Sequence, residues 1–256
     1  MLTLKLSPSL LEQYRIVRLG LYNKGPEALI EYLTGTYVKS EPASRGSAYH
    51  EMLEHGIEPY AFYWHKTGKL KHEGEWVPVA HVSAEEAAAN KKISGPFYCV
   101  LDKDINKWWY FTAEAVEPAA KLHQEYKDMI HETWIDYDTT SHGYKIKLRM
   151  KIDGLQGLVM HEHKTTGRKK KYSDYWDSIQ WRCYACALPE LTTIRYNIFQ
   201  LNTRNTKCDT YHFDYLPDEL SKTIVQQEID GLVDWMIKND YAKLKVMTKD
   251  RNPLPI

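Results

Sequence analysis

Two neighbouring stretches decide how this chain is read: Lys145-Ile146-Lys147-Leu148-Arg149-Met150-Lys151-Ile152-Asp153 and, after a turn spanning Gly154–Gly157, Leu158-Val159-Met160-His161-Glu162-His163-Lys164-Thr165-Thr166. The first alternates strictly between apolar and charged residues. A strand sends successive side chains to opposite faces. Ile146, Leu148, Met150 and Ile152 therefore form a core face, and Lys145, Lys147, Arg149, Lys151 and Asp153 point the other way. A cationic strip ending in one carboxylate suits a surface that holds phosphates beside a metal ligand; its plainer reading is the solvated face of a two-layer sheet. In the second stretch Glu162 and Lys164 share a face, with the backbone carbonyl of His163 between them. Asp153 and Glu162 on adjacent strands could hold Mg²⁺, which prefers oxygen ligands and retains waters. Lys164 could then orient or deprotonate an attacking water.

Working outward, the N-terminal part (1–100) reads as mainly helical. Ser9 precedes Leu10, Leu11, Tyr14 and Val17 at helical spacing, and Gly25-Pro26 separates a second helix, Glu27 to Leu33. A third begins after Arg45-Gly46, carries Tyr49, His50, Leu53 and Glu54, and ends at Gly56. Residues 57–81 give no clear pattern. Ser83 and Glu86 form a capping box for a helix over 84–93, stopped by Gly95-Pro96. A hairpin follows (Phe97 to Leu101, Lys107 to Phe111), then an amphipathic helix from Thr112 to Ile130. Strands are expected at Thr133–Tyr137, Tyr144–Asp153 and Leu158–Lys164, a helix over Asp174 to Leu188, strands at 193–202 and 209–215, and a last helix over about 218–238. Strands in a meander flanked by helices give an α/β (α+β) domain, expected to be one domain over 1–256 with the sheet in 101–256.

Composition narrows the function. With 34 basic and 34 acidic residues the net charge is zero, which argues against coating nucleic acid by bulk charge but leaves room for one local basic face. No apolar run approaches the roughly 18 residues of a membrane span, and MLTLKLSPSLLEQYR lacks the features of a signal peptide. Four cysteines do not make a disulfide scaffold in 256 residues. A cytoplasmic protein is expected, its cysteines read as buried free thiols rather than cystines. His123, His131 and His142 match no common zinc spacing.

The order Asp153-Gly154, then Glu162-His163-Lys164-Thr165-Thr166, resembles the core of the PD-(D/E)XK nucleases. Two further segments are similar to its RecB-like branch: Arg45-Gly46-Ser47-Ala48-Tyr49-His50-Glu51-Met52-Leu53-Glu54, and the Gln-x-x-x-Tyr of Gln180 to Tyr184. Thr112-Ala113-Glu114, Glu132 and Gly143 fall between them as in the exonuclease VIII (RecE-like) recombination nucleases. The resemblance implies a restriction-endonuclease-like core with a central mixed sheet flanked by helices. It implies Mg²⁺ or Mn²⁺, one or two ions, held by His50, Asp153, Glu162 and the carbonyl of His163. Lys164 would align the attacking water, and Gln180 and Tyr184 would contact a phosphate or steady Lys164. Arg45, Lys147, Arg149, Lys151 and the run Arg168, Lys169, Lys170, Lys171 are the candidate DNA contacts. Cys99, Cys183, Cys186 and Cys208 depart from the iron–sulfur pattern of some relatives, so no cluster is expected. The implied activity is a DNA exonuclease that resects duplex ends in recombination or repair, encoded by a bacterium or by a phage in its host. The chain has no Gly-x-x-x-x-Gly-Lys-Ser/Thr motor motif; a homo-oligomer or a single-strand annealing partner would supply processivity. An endonuclease or structure-specific nuclease on the same core, and a non-catalytic DNA-binding module, are the alternatives.

Overall fold

The structure, a computed structural model, describes residues 1–56, 61–65, 71–72, 75–76, 93–102, 105 and 107–242. The chain opens with strand β1 (Thr3–Leu6), helix α1 (Pro8–Arg18), helix α2 (Pro26–Thr34) and helix α3 (Glu41–His55). Short strands β2 (Ala61–His65), β3 (Lys71–His72) and β4 (Glu75–Trp76) lead to the hairpin β5 (Ile93–Asp102) and β6 (Lys107–Thr112), then helix α4 (Ala113–Glu125). Strands β7 (Ile130–Ser141), β8 (Tyr144–Gln156) and β9 (Val159–Thr166) precede helices α5 (Tyr172–Trp176) and α6 (Ile179–Ala187). Strands β10 (Thr193–Leu201) and β11 (Cys208–Tyr215) and helix α7 (Leu220–Lys238) complete the order.

The main sheet is mixed, not a meander. β7 pairs antiparallel with one edge of the long β8; the other edge of β8 is shared by β1, in parallel, and by β9, antiparallel. β10 then lies parallel to β9, and β11 antiparallel to β10. A parallel β9–β10 pair needs a crossover, and α5 and α6 supply it. Ile146, Leu148, Met150 and Ile152 are all buried. They join α1, α6 and α7 in one core through Leu10, Leu11, Trp181, Val225 and Ile229. Each such burial stabilises by roughly 1.5–3 kcal/mol. A one-residue slip of β8 would put its lysines there instead, so the register is fixed. Helices α3 and α4 pack on the opposite face, over Phe199 and Leu201 of β10.

Several boundaries differ from expectation for local reasons. β1 was hidden because four residues are too few to show a period, yet Leu4 and Leu6 are buried beside β8. The cap of α1 is Ser7, not Ser9; its hydroxyl accepts from Leu10 N–H at 3.3 Å, with Pro8 opening the helix. Helix α3 begins at a Ser40 cap, so Arg45 and Gly46 lie inside it. Gly95-Pro96 lies within β5; residues 84–92 of the expected helix lie outside the described residues, as does most of 57–81. The helix from Thr112 ends at Glu125, and Ile130 already belongs to β7. The single helix expected over 174–188 is two, because Ser178 caps α6 by accepting from Gln180 N–H. Cys183 and Cys208 are buried free thiols and Cys186 is half-buried; nothing is described of the Cys99 side chain.

Candidate active site

The site is built where β8 and β9 part. Their pairing runs only through Gln156↔Val159, Leu155↔Met160 and Gly154↔His161. Asp153 comes next, at the mouth of this fork. There its side chain takes over from the ladder: Oδ2 accepts the backbone N–H of His163 at 2.6 Å. On the other prong Glu162 is buried and fully engaged. Its Oε1 accepts from Lys164 Nζ at 2.5 Å and Gln180 Nε2 at 2.8 Å, and its Oε2 accepts from Tyr184 Oη at 2.9 Å. Gln180 Oε1 accepts from Lys164 at 2.9 Å, and Gln180 Nε2 also reaches Tyr184 Oη at 2.7 Å. The i, i+4 spacing of Gln180 and Tyr184 on α6 makes this possible. Glu12 of α1 accepts from Ile179 N–H at 2.9 Å and so seats the start of α6.

His50 arrives from the other face. Gly46, one turn earlier on α3, lies so close to the Thr165 hydroxyl that a Cβ could not fit without displacement. That close approach brings His50 edge-on to the ring of His163, centroids 6.3 Å apart. Behind them Asn197 of β10 lies 3.3 Å from Nδ1 of both His161 and His163. Asn197 and Glu12 were not singled out from sequence. The available signal for Asn197 was an amide between Tyr196 and Ile198 in the run Ile194 to Phe199, otherwise apolar but for Arg195; Glu12 had none.

The electrostatics follow from taking charge out of water. Burial pushes the Asp153 carboxyl up to about 6, against the pull of Lys164 and the His163 amide. Burial and then the Asp153 charge raise Glu162. Burial, helped by Lys164, lowers His50 to about 4, leaving a neutral imidazole at pH 7. Burial also works against the Lys164 ammonium, but Glu162 and Asp153 outweigh it and raise its pKa. The result is a protonated lysine beside two carboxylates that lack enough positive charge.

The candidate DNA contacts divide into two groups. Along β8, Lys147 pairs with Asp136 at 3.1 Å and Asp138 at 3.4 Å, Arg149 lies 3.9 Å from Asp136, and Lys151 pairs with Glu132. The strip is largely neutralised by β7. Arg168, Lys169, Lys170 and Lys171, by contrast, enter no ion pair among the described residues, and Arg45 lies against Gly167 at the start of their loop.

The mixed sheet thus forks at the half-buried Asp153 and the buried Glu162, beside Lys164. A sequence profile of the PD-(D/E)XK nuclease superfamily matches residues 5–245, and the chain belongs to that superfamily. Its members generally use divalent metal ions, and the family implies a DNA substrate. No curated protein matches the chain. Among solved structures it is similar to a proposed exonuclease from Eubacterium rectale, at 16% identity and a TM-score of 0.49, over 93% of this chain and 82% of that one. It is also similar to the protein SSO0001, at 15% identity and a TM-score of 0.34, over 48% of this chain and 66% of that one. No described helix is long and apolar enough to cross a membrane.

Among the described residues no three His, Cys, Asp or Glu groups converge on one point as a ready-made metal cage, because Glu162 is turned toward Lys164, Gln180 and Tyr184. The donor set nevertheless fits a divalent cation: a neutral imidazole, two carboxylates short of positive charge, and a backbone carbonyl.

Proposed function

We propose that the chain is a Mg²⁺- or Mn²⁺-dependent deoxyribonuclease acting as an exonuclease on duplex ends in recombination or repair. The observation that carries the reading is the pair Asp153–Glu162 at the strand fork, the first half-buried and the second buried, with Lys164 hydrogen-bonded to Glu162 and His50 opposite. His50, Asp153, Glu162 and the His163 carbonyl would hold the ion, which acidifies water and offsets charge on the phosphate when bound. Lys164 keeps its proton and donates hydrogen bonds, so its role is to align a water in line with the scissile bond. Gln180 and Tyr184 fix Lys164 and Glu162 relative to each other. Hydrolysis forms one P–O bond from water and breaks the ester P–O bond, and the water's proton passes to the leaving oxygen. No covalent enzyme intermediate is required.

Linear duplex, end-labelled on either strand, should be degraded with Mg²⁺ or Mn²⁺, while closed circular duplex should survive. Cleavage of the circle would establish an endonuclease on the same core. Binding without cleavage of either DNA under both metals would leave only a DNA-binding module.

A further inference from the structure

The chain leaves the site at Lys164 and returns to it at Gln180, whose side chain bonds Lys164 at 2.9 Å. Between these two residues lie a basic loop and the short helix α5. The loop is tied in place: Arg168 N–H donates to Thr166 Oγ1 at 3.3 Å, Lys170 N–H to Tyr211 Oη at 2.7 Å, and Lys171 N–H to the Asp174 carboxylate at 2.9 Å. Helix α5 rests on aromatic rings, with Tyr215 Oη donating to the Tyr172 carbonyl at 2.8 Å.

Two rings of this helix pack on the core and still keep part of their surface in water: Tyr172 lies 4.7 Å from Tyr215 and Trp176 5.3 Å from Trp181, centroid to centroid. Trp181, Tyr196 and Tyr215 beneath them are fully buried, whereas Tyr172 is 43% exposed and Trp176 36% exposed. They lie nearly parallel, centroids 5.5 Å apart at 26°. Trp134 is also exposed, with the Arg149 guanidinium over its ring at 4.9 Å; the guanidinium that lies over Trp176, at 5.5 Å, belongs to the buried Arg182. A side chain that only filled the core would gain by full burial. Rings left half in water beside a run of cations with no acidic partner among the described residues are what a single strand uses, with bases on aromatic faces and phosphates on the cations.

We propose that Tyr172 and Trp176 form a stacking subsite for an unpaired nucleobase of the DNA end, with the adjoining phosphates held by Arg168, Lys169 and Lys171. The inference deepens the proposed nuclease reading and rests on it. It makes the preferred substrate a frayed or overhanging end rather than a flush duplex.

The test is binding of a fluorescent oligothymidylate by the full chain in EDTA, where no cleavage occurs. Wild type should bind the intact strand roughly tenfold more tightly than one with abasic sites, which keeps its phosphates and loses its bases. The Tyr172→Ala/Trp176→Ala variant should bind the intact strand about tenfold more weakly and no longer distinguish it from the abasic one. The Trp176→Phe variant should retain most of the preference. Equal binding of intact and abasic strands by wild type, or no binding of either, overturns the proposal, and this comparison needs no variant to fold. Base-dependent binding by a protein that cleaves nothing with Mg²⁺ or Mn²⁺ would keep the subsite and discard the nuclease reading.

Discussion

The Asp153 carboxylate accepts the backbone N–H of His163 at 2.6 Å, across the point where β8 and β9 separate. One residue thus closes the end of a sheet ladder and offers its remaining oxygen to the fork. The cost is a carboxyl held largely out of water, with a pKa raised to about 6 from 3.8.

That cost sets a pH dependence. A carboxyl whose folded pKa is raised contributes stability below its unfolded value and loses it as the pH rises through the folded one. Without metal the fold should lose stability between about pH 4 and 6, by roughly 3 kcal/mol from this group. Asp153→Asn should therefore raise the Tm of the metal-free protein at pH 8 and leave it nearly unchanged at pH 4, while abolishing cleavage. Thermal melts at the two pH values, with a cleavage assay, check both halves. An equal shift at both would remove the buried charge as the cause.

Tyr184→Phe removes one donor from Glu162 without changing the shape of α6. A buried acceptor that loses its partner costs about 1–3 kcal/mol, so denaturant unfolding should show a loss of that size. Cleavage should fall about tenfold and not vanish, because Lys164 and Gln180 still hold the other oxygen.

Gly46→Ala adds a methyl group where α3 meets Thr165. Either Thr165 turns its hydroxyl away or the helix retreats and carries His50 with it; the second course is expected. Mn²⁺ binding, followed by calorimetry, should weaken at least severalfold, more than for Ala48→Gly on the same helix. His50→Ala should weaken it comparably, and cleavage by that variant should recover better with Mn²⁺ than with Mg²⁺, since Mn²⁺ accepts imidazole more readily.

Replacing Lys147 and Lys151 by Ala should change DNA affinity little, because acidic residues of β7 already neutralise them. Replacing Arg168, Lys169 and Lys171 should weaken binding to every sequence. It should also reduce the slope of log K against log salt by about 0.9 for each duplex phosphate that is no longer neutralised. Titrations at several salt concentrations separate the two outcomes. Either set should alter stability by under about 1 kcal/mol per residue, as exposed charges do.

The fold was legible where a period was long enough to be read. Nine residues of β8, Lys145 to Asp153, declare their faces unaided, whereas Gly154 to Gln156, read as a turn, continue the strand; Gln180 and Tyr184 declare theirs by spacing. β1 has no such length, and its place beside β8 depends on a partner far along the chain. The β8 strip illustrates a different limit. Its alternation is visible in sequence, but its neutralisation depends on Asp136, Asp138 and Glu132, which come opposite it only when β7 folds back in register. Asn197 escaped for the same reason, since its partners His161 and His163 lie on the neighbouring strand.

The segment from Thr165 to Ile179 is pinned at both ends to the same lysine, through β9 on one side and Gln180 on the other. Such a segment can be exchanged as a cassette. Lengthening it changes loop-closure entropy only slightly, about 0.6 kcal/mol for each doubling, while the chemistry stays anchored outside it. Grafting a different loop between Thr166 and Ser178 is thus a route to retuning which nucleic-acid end is gripped without redesigning the centre that cuts it.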